Sequence, residues 1–346
     1  MKKINSIGVV GTGLMGTSLA MHIHRIKKNV ELFGADPSGA EREKALEKGV
    51  FTDIFVSHED MPSCDLFFVC SPIEYAENIA AYLCDKFPSS HITDISSVKK
   101  EICDKLKNFK NFTGGHPMTG TERKGAHAAH PDIFDNSLYI LCPATLQNHT
   151  ADIFDTFLRS LNINIYRMSP EEHDRCVAYA SHLPYFVAAS LVISNDNELY
   201  GHICNMAGSG FRDTTRVAGS PSGMWNTILK YNRNNIRSAF SDFIRVCQNT
   251  LKVIEKDEST SFSDRARNMR REMMSSKLRR DAGFVLEVNV PDRPGVLGRI
   301  FTLLENINIR NIEIDDSRES RTGALTIFFR TENDMIEAQK RLKDFN

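Results

Sequence analysis

The chain has 346 residues, which is too long for one ordinary hydrophobic core, so two or three domains are expected. Its 43 Lys and Arg residues nearly balance 44 Asp and Glu residues, and the net charge of -1 argues against a general affinity for nucleic acid or anionic membranes. The longest strongly apolar run, Tyr185 to Ile193, is far shorter than the roughly 20 residues of a membrane-spanning helix. Because a strand pattern begins at Ile4 and leaves no room for a signal peptide, we expect a cytoplasmic protein.

The spacing of cysteine and histidine residues favours neither disulfides nor a metal site. His127 and His130 are three residues apart, but no Asp, Glu or Cys set with ligand spacing accompanies them, so we expect surface histidines and no metal. The cysteines form no CxxC pair and lie mostly in apolar runs, which favours buried, reduced thiols. They are Cys64, Cys70, Cys84, Cys103, Cys142, Cys176, Cys204 and Cys247.

Residues 4–168 alternate short β-rich runs with helical stretches, which is the pattern of βαβ units on a parallel sheet. Between the first two predicted strands, Met15, Leu19, Ile23 and Ile26 recur at spacings of four and three. This spacing predicts one apolar helix face against the sheet. The predicted strands are Ser6 to Val10, Val30 to Phe33, Leu66 to Cys70, Ile92 to Ile95, Leu138 to Leu141 and Ile163 to Arg167.

The sequence Gly-Thr-Gly-Leu-Met-Gly, residues 11–16, follows the first strand and opens the first helix, which is the context of a dinucleotide-binding fingerprint. Asp36 lies just beyond the second strand, where a carboxylate accepts hydrogen bonds from ribose hydroxyls and repels a 2′-phosphate. A Rossmann domain with NAD as cofactor is predicted, although the nearby Arg42 leaves the preference over NADP open. The predicted cofactor-binding residues are Gly11, Gly13, Leu14, Met15, Gly16, Asp36, Ser71 and Pro72.

Hydride transfer from an alcohol needs a base for the hydroxyl proton, and histidine has an unperturbed pKa near neutrality. His116 follows Gly114 and Gly115 at a probable strand end, within the edge of the sheet where such folds bind ligands. His182 lies beside Pro184 on an apolar helix, where a hydrogen-bonded core histidine and a site residue are equally good interpretations.

The second and third predicted domains differ in their patterns of helices and strands. Residues 169–280 begin with a helix start at Pro170 and contain long helical patterns, which predicts an all-α domain. Its basic stretch from Asp264 to Arg280 is interpreted as a solvated helix and linker rather than a phosphate-binding patch. Residues 281–346 predict a small α+β unit of order βαββα.

Several ordered motifs resemble those of the prephenate dehydrogenase family. With the glycine fingerprint, the resemblance covers roughly residues 4 to 275. The segment from Pro291 to Leu297 is similar to the start of an ACT domain, a regulatory module that often binds amino acids. The motifs are Asp94 to Lys99, Gly114 to Glu122, Ser181 to Pro184, Arg212 to Arg216, and Met224 with Trp225.

The resemblance implies oxidative decarboxylation of prephenate to 4-hydroxyphenylpyruvate with hydride transfer to NAD, in tyrosine biosynthesis. It implies that His116 takes the proton of the C4 hydroxyl, that Ser97 helps to orient it, and that Arg216 grips a substrate carboxylate. Each has a structural alternative: Ser97 as a helix cap, Arg216 in an interface ion pair, and Trp225 in the core. The full set of implied substrate-binding residues is Arg216, Glu122, Trp225, His182 and Tyr185.

Two departures from the family pattern affect these expectations. Many members have histidine where this chain has Tyr185, and a phenol carries no positive charge near neutral pH, so arogenate is an alternative substrate. The ACT-like unit ends at Asn346, where a fourth strand would normally follow, so either that strand is absent or another subunit completes the edge. Amino-acid effector binding is therefore an open expectation.

Three further expectations complete the sequence interpretation. The long apolar faces of the helical domain predict a homodimer. A β-hydroxyacid dehydrogenase is a competing enzyme class, but the Gly-Gly-His-Pro segment at residues 114–117 argues against it. A catalytically silent NAD or amino-acid sensor is the alternative from a different functional class.

Overall fold

The computed structural model describes residues 3–120, 123–143, 148–220, 222–256, 259–281, 284–291, 293–315, 322–329 and 331–343. The chain forms two compact units, Met1–Lys256 and Asp257–Asn346. The first unit contains the large sheet and most of the helical segment, and the second contains a small sheet with its helices.

The first unit contains an eight-stranded sheet with strand order β3-β2-β1-β4-β5-β6-β7-β8. The order of its first six strands is that of a doubly wound dinucleotide-binding fold, with the crevice beside β1 and β4 where the strand order reverses. The strands are β1 (Ser6–Val10), β2 (Glu31–Ala35), β3 (Asp53–Phe55), β4 (Leu66–Val69), β5 (His91–Asp94), β6 (Phe112–Pro117), β7 (Leu138–Cys142) and β8 (Asn164–Arg167).

The sheet differs from the predicted parallel sheet at its far end. β7 pairs antiparallel with β6, and β8 pairs parallel with β7. Only short 3-10 helices, Ala126–Ala128 and Pro131–Phe134, lie in the described part of the connection between β6 and β7, whereas a helix connects β7 to β8. Two strands were absent from the predicted set: β3 has three residues, and the Gly-Gly pair of β6 lacks β-branched density.

Helices on both faces of the sheet bury its apolar side chains. Leu19 and Ile23 of the first helix are fully buried, which confirms the predicted helix face. Phe67 and Phe68 of β4 point to opposite faces and are also fully buried, each in a separate core cluster. The helices of this domain are α1 (Leu14–Ile26), α2 (Gly39–Leu46), α3 (Ile73–Lys86), α4 (Lys100–Lys105) and α5 (His149–Arg159).

The helical segment begins at the predicted position. Ser169 caps its first helix, because the Ser169 side chain accepts a hydrogen bond from the Glu172 backbone N–H at 3.2 Å. A π-helical turn, Ala178–His182, joins the first two helices. Such turns re-aim side chains and are frequent at functional sites. The helices are α6 (Pro170–Val177), α7 (Leu183–Ile193), α8 (Tyr200–Met206), α9 (Ser209–Thr215) and α10 (Ser222–Glu255), with a 3-10 helix at Arg216–Gly219.

The helical segment exposes large apolar side chains. Ile193 and Ile254 are each 70% exposed, and Met206 is 83% exposed. The apolar run Tyr185 to Ile193 was predicted to be too short for a membrane span, but α6, the π turn and α7 form one continuous helix, Pro170–Ile193, that is long and apolar enough by length and composition. The same helix holds the buried polar residues His173 and Asp174, so length and composition are weak evidence for a membrane span.

The second unit is an antiparallel three-stranded sheet, in the order β10-β11-β9, with helices. Ile300, Leu325 and Ile327 are fully buried in its core. Residues 344–346, beyond the last helix, lie outside the described residues. It therefore stays a prediction that the fourth strand of the ACT-like unit is absent or that another subunit completes the sheet edge. The elements are α11 (Ser259–Asp281), β9 (Phe284–Pro291), α12 (Val296–Leu303), β10 (Ile309–Asp315), β11 (Thr322–Phe329) and α13 (Glu332–Leu342).

The cysteines agree only partly with the expectation of buried thiols. All eight are free, but Cys176, Cys204 and Cys247 are exposed. These three lie on helices of the helical segment. Their apolar neighbours in the sequence predicted burial, but the helix faces that carry them are exposed in a single chain. Burial raises the pKa of the Cys64 and Cys103 thiols to about 12, so both stay protonated near neutral pH.

Candidate active site

The turn between β1 and α1 has the backbone geometry that a bound pyrophosphate needs. Gly11 has φ +97°, and a Cβ there would lie 2.7 Å from the backbone of Cys70. A Cβ on Gly16 would lie 2.0 Å from the Gly11 carbonyl oxygen, so α1 packs against the turn only with glycine here. Apart from Gly13 and its two chain neighbours, no heavy atom of the described residues lies within 4 Å of the Cβ position on Gly13. The backbone of this turn is therefore open to a phosphate at the start of α1.

Asp36, at the end of β2, is held in place before any ligand binds. Its Oδ2 accepts a hydrogen bond from the Thr12 backbone N–H at 2.9 Å, and its Oδ1 accepts one from the Ser38 N–H at 2.9 Å. The guanidinium of Arg42 donates to the Asp36 carbonyl oxygen at 2.7 Å. The carboxylate is thus fixed beside the glycine turn, with an arginine next to it that could also meet a 2′-phosphate.

Three buried hydroxyl oxygens near this crevice have no hydrogen-bond partner among the described residues. They belong to Thr12 in the glycine turn, Ser71 after β4 and Ser96 after β5. Buried polar atoms are normally paired, and these lie at the carboxyl ends of neighbouring parallel strands, where doubly wound sheets bind nucleotides. With the open turn and the fixed Asp36, they fit a dinucleotide cofactor.

His116 lies on β6 and forms the outer end of a chain of hydrogen bonds. Its Nδ1 is 2.8 Å from Nε2 of His173 on α6, and Nδ1 of His173 is 2.8 Å from Oδ1 of Asp174. His173 is completely buried and Asp174 is 1% exposed, whereas His116 is only partly buried. The outer imidazole of this series is the one that a ligand can reach.

The pKa of His116 lies well below its ordinary value of 6.5, first because burial disfavours the charged imidazolium. Positive charge on His173, Lys99 and His182 would lower the pKa further. The imidazole is therefore neutral near pH 7, which is the form that a general base requires.

A buried ion pair supports the strand that carries His116. Lys99 and Asp94 contact each other through Nζ and Oδ2, and both side chains are fully buried. Oδ1 of Asp94 also accepts from the Gly115 backbone N–H at 3.1 Å, and Oδ2 accepts from the Ser96 N–H at 2.9 Å. These contacts fix β6 relative to the loop after β5, in which Ser97 is partly buried.

Asn232 and three aromatic side chains of the helical segment extend the hydrogen-bonded series from Asp174. Asn232 of α10 donates to the Asp174 carbonyl oxygen at 2.8 Å and lies 3.3 Å from Nδ1 of His182. His182 meets the edge of Trp225 at a ring-centroid distance of 6.1 Å, and Trp225 stacks on Tyr185 at 3.7 Å. Contacts therefore run without a break from His116 to Tyr185.

Two details of this aromatic group bear on ligand binding. Burial lowers the pKa of His182 to about 4, so its ring is neutral near pH 7. The indole Nε1 of Trp225 is buried and has no partner in the described part of the chain, so it can donate to a ligand.

The predicted site residues come together to different degrees. His116, His182, Trp225 and Tyr185 are joined by the contacts above, and Ser97 lies in the loop that the Asp94 carboxylate holds. Arg216 is exposed and begins a 3-10 helix that packs against α7, the helix of Tyr185. Glu122 lies outside the described residues.

Sequence reasoning missed the polar residues behind His116. Asp94 and Lys99 lie within one of the family motifs, but no role was predicted for them, and His173, Asp174 and Asn232 were not among the predicted site residues. The available signal was a His-Asp pair in the first turns of an apolar helix, because buried charges are normally paired.

Family models match nearly the whole chain. The nucleotide-binding domain of prephenate dehydrogenase matches residues 19–166, and the dimerization domain of that enzyme matches residues 169–269. An ACT domain matches residues 284–345. Prephenate dehydrogenase of Bacillus subtilis (strain 168) is 32% identical over 361 residues, spanning 97% of this chain and 95% of that protein.

The chain belongs to the prephenate dehydrogenase family. Two solved structures of the family resemble it closely. Prephenate dehydrogenase of Aquifex aeolicus, in complex with hydroxyphenyl propionate and NAD+, is 26% identical with a TM-score of 0.72, over 79% of this chain and 98% of that one. Synechocystis arogenate dehydrogenase is 27% identical with a TM-score of 0.68, over 78% of this chain and 99% of that one.

Family membership confirms the main sequence predictions. The Rossmann domain, the helical dimerisation domain, the small ACT region, the dehydrogenase class and NAD as cofactor are all confirmed. Within the described residues, no group of three or more His, Cys, Asp or Glu side chains could hold a metal ion.

Proposed function

We propose that this member of the prephenate dehydrogenase family converts prephenate to 4-hydroxyphenylpyruvate and carbon dioxide, a step toward tyrosine. The observation that carries the proposal is the neutral, partly exposed imidazole of His116, backed by His173 at 2.8 Å. When bound, NAD supplies the acceptor for the hydride that leaves ring C4. As the hydride leaves, the C4 hydroxyl gives its proton to the protein and becomes a carbonyl. Loss of the ring carboxylate as carbon dioxide then makes the ring aromatic and leaves its electron pair on that oxygen, which takes a proton back to become the phenol.

His116 accepts that proton through its free ring nitrogen, and Ser97 orients the hydroxyl and the imidazole. The glycine turn holds the pyrophosphate, because its backbone is open at Gly13, and Asp36 accepts from the ribose hydroxyls. Leu14 and Met15 open α1 beneath the dinucleotide, and Ser71 and Pro72 line the crevice at the end of β4. Of these groups only His116 takes up a proton.

The substrate lies on the helical side of this crevice. Arg216 binds a substrate carboxylate with its planar guanidinium, and Trp225 donates from its buried indole nitrogen. Tyr185 lines the pocket, and Glu122 is a substrate contact that only the family resemblance implies. His182 is 1% exposed and bound to Asn232, which favours a role in holding Trp225 against Tyr185.

Several features of the working enzyme are part of the same proposal. The domains span residues 4–168, 169–280 and 281–346, and the helical domain pairs two chains into a homodimer through its exposed apolar faces. The ACT-like domain binds an amino-acid effector. The enzyme acts in the cytoplasm with no nucleic-acid or membrane partner. The net charge of -1 supports the absence of a nucleic-acid partner, and the polar contacts that hold Asp174 to the sheet domain support a helix packed against protein.

Arogenate is the second candidate substrate, and Tyr185 is the observation that favours it. Its phenol stacks flat on Trp225, at an interplanar angle of 10°, where many relatives have a histidine. A phenol adds no positive charge near a substrate carboxylate, and it can accept a hydrogen bond from an ammonium group. The similarity to an arogenate dehydrogenase supports the same alternative.

Absorbance at 340 nm with each substrate and each nicotinamide cofactor tests the proposal. The expected result is an increase in absorbance with prephenate and NAD. A higher kcat/KM with arogenate would instead assign that substrate. An unchanged absorbance with every cyclohexadienyl compound would favour a sensor without catalytic activity.

His116→Asn should lower kcat by about 10²- to 10⁴-fold with little change in NAD affinity. His91→Asn is the matched control, because His91 lies at the start of β5 and bonds to Thr150. Full turnover by the His116→Asn variant would exclude His116 as the base.

A further inference from the structure

We propose that His173 and Asp174 are positioning residues that fix the tautomer of His116, so that its Nε2 carries the lone pair that accepts the substrate proton. The observations are three side chains in series, from a sheet strand to a helix of the neighbouring domain, with two contacts of 2.8 Å. The inference rests on the proposed role of His116 as the base.

The direction of both hydrogen bonds is set by the Asp174 carboxylate at the end of the series. The Asp174 carboxylate can only accept, so Nδ1 of His173 must carry the hydrogen and donate. A neutral imidazole carries one N–H, so Nε2 of His173 is then an acceptor. It lies 2.8 Å from Nδ1 of His116, which must therefore carry a hydrogen and donate. His116 is left with an unprotonated Nε2, which is the nitrogen that can act as a base.

Asp174 is anchored rigidly enough to set this direction. Its Oδ1 accepts from the Lys99 backbone N–H at 2.7 Å, and its Oδ2 accepts from the Lys100 N–H at 2.9 Å. Its carbonyl oxygen accepts from Asn232, and the residue is 1% exposed. The carboxylate cannot rotate away from His173 without leaving two backbone N–H groups unpaired.

The same series stabilises His116 after proton transfer. When Nε2 takes the proton, the imidazolium still donates from Nδ1 to His173, and His173 still donates to Asp174, so no second proton has to move. The charged groups around the imidazolium are Lys99 and Asp94 beneath β6 and Asp174 on α6, with titratable His173 and His182. Removing His173 would leave Nδ1 of His116 without a partner and allow the other tautomer.

The decisive measurement is the tautomer of His116 in the resting, full-length protein. Long-range ¹H–¹⁵N NMR spectra of histidine-labelled protein distinguish the two tautomers, and His116→Asn identifies the signals. We expect His116 protonated on Nδ1 in the natural protein. In His173→Leu we expect a mixture that contains the Nε2–H form. A natural protein with His116 protonated on Nε2 would overturn the inference.

Kinetics give a second readout. His173→Leu should lower kcat by about 10- to 10³-fold and leave KM and NAD affinity within about twofold, because ground-state contacts are unchanged. His173→Gln should recover at least about tenfold of this loss, since an amide can accept from His116 and donate to Asp174. Equal kcat for the natural protein and His173→Leu would also overturn the inference.

His22→Leu is the matched control for losing a buried histidine. His22 is fully buried on α1, and its Nε2 lies 2.8 Å from the Leu161 carbonyl oxygen. This variant should lose stability and keep both kcat and the His116 tautomer. If His173→Leu does not fold, Asp174→Leu gives the same test, because it removes the acceptor for Nδ1–H of His173, and a His116 tautomer unchanged in that variant would contradict the role of the carboxylate. A fully active His116→Asn would overturn the base role alone and leave the tautomer result intact.

Discussion

The Rossmann sheet and the helical segment that follows it bury their apolar residues very differently. Phe67 and Phe68 of β4 are completely buried within one chain, whereas Ile193 of α7 is 70% exposed and Met206 of α8 is 83% exposed. The sheet domain therefore closes its own core, and the helical segment presents a surface that a second copy of the chain can cover.

At the active site the two regions are joined by polar contacts. His116 lies on the sheet, and His173 and Asp174 lie on α6 of the helical segment. The Lys99 and Lys100 backbone N–H groups hold Asp174. Thus the helical segment, which has an open apolar surface elsewhere, is positioned accurately where the chemistry needs it.

The largest effect should come from breaking the buried ion pair of the sheet domain. Lys99→Met leaves the Asp94 carboxylate uncompensated at zero exposure, and we expect a loss of about 3–5 kcal/mol of unfolding free energy. Urea unfolding at several protein concentrations measures it. Lys105→Met is the control, because Lys105 pairs at the surface with Glu77 and Glu101, and such pairs contribute only about 0–1 kcal/mol. Equal losses for both variants would contradict the importance of burial.

The second effect is the pH dependence of stability that His182 of the helical segment should cause. Burial lowers the pKa of His182 from 6.5 to about 4, so the unfolded chain binds the proton first as pH falls. Stability is therefore complete above the unfolded pKa and decreases as pH falls through this window, by up to about 3 kcal/mol. His182→Gln should flatten this part of the profile, measured by chemical unfolding between these pH values. His116 and His22, whose pKa values are also lowered, remain in the variant. An unchanged slope would show that His182 does not titrate this way.

The cofactor side of the site should respond next. Asp36→Ala removes a charged acceptor for the ribose hydroxyls, so the KM for NAD should rise by about 10- to 100-fold, equivalent to about 1.4–2.7 kcal/mol. Arg42 remains beside the site, so NADP should be affected less. The two cofactors act as internal controls, because general damage to the turn would weaken both equally. An unchanged ratio of the two KM values would remove Asp36 from cofactor selection.

The smallest effect tests the open helical surface. Ile193→Lys should raise the homodimer dissociation constant by at least about tenfold, or about 1.4 kcal/mol, with little change in monomer unfolding. Light scattering across a concentration series measures it. Val56→Lys is the control, because Val56 is 59% exposed beside β3 of the sheet domain. If the Ile193 variant associates like the natural chain, a different surface joins the subunits.

Local patterns made much of this molecule predictable. The apolar spacing of Leu19 and Ile23 gave the buried face of α1, and the glycine fingerprint gave the turn, since both depend on residues within a few positions of each other. β3 was missed because it is three residues long, and β6 was expected only as a probable strand end at His116, without bounds, because it contains paired glycines. The antiparallel β7 was missed because strand direction depends on the connection and not on the strand's own residues.

The sequence alone determined the family, the dinucleotide turn and His116 as the candidate base, because ordered motifs and local spacing carry that information. Only the tertiary structure decided which groups lie behind His116. His173 is 57 residues away along the chain, and Asp174 meets Lys99 across 75 residues. Buried polar groups must find partners wherever folding brings them, and no local pattern records which distant partner that will be.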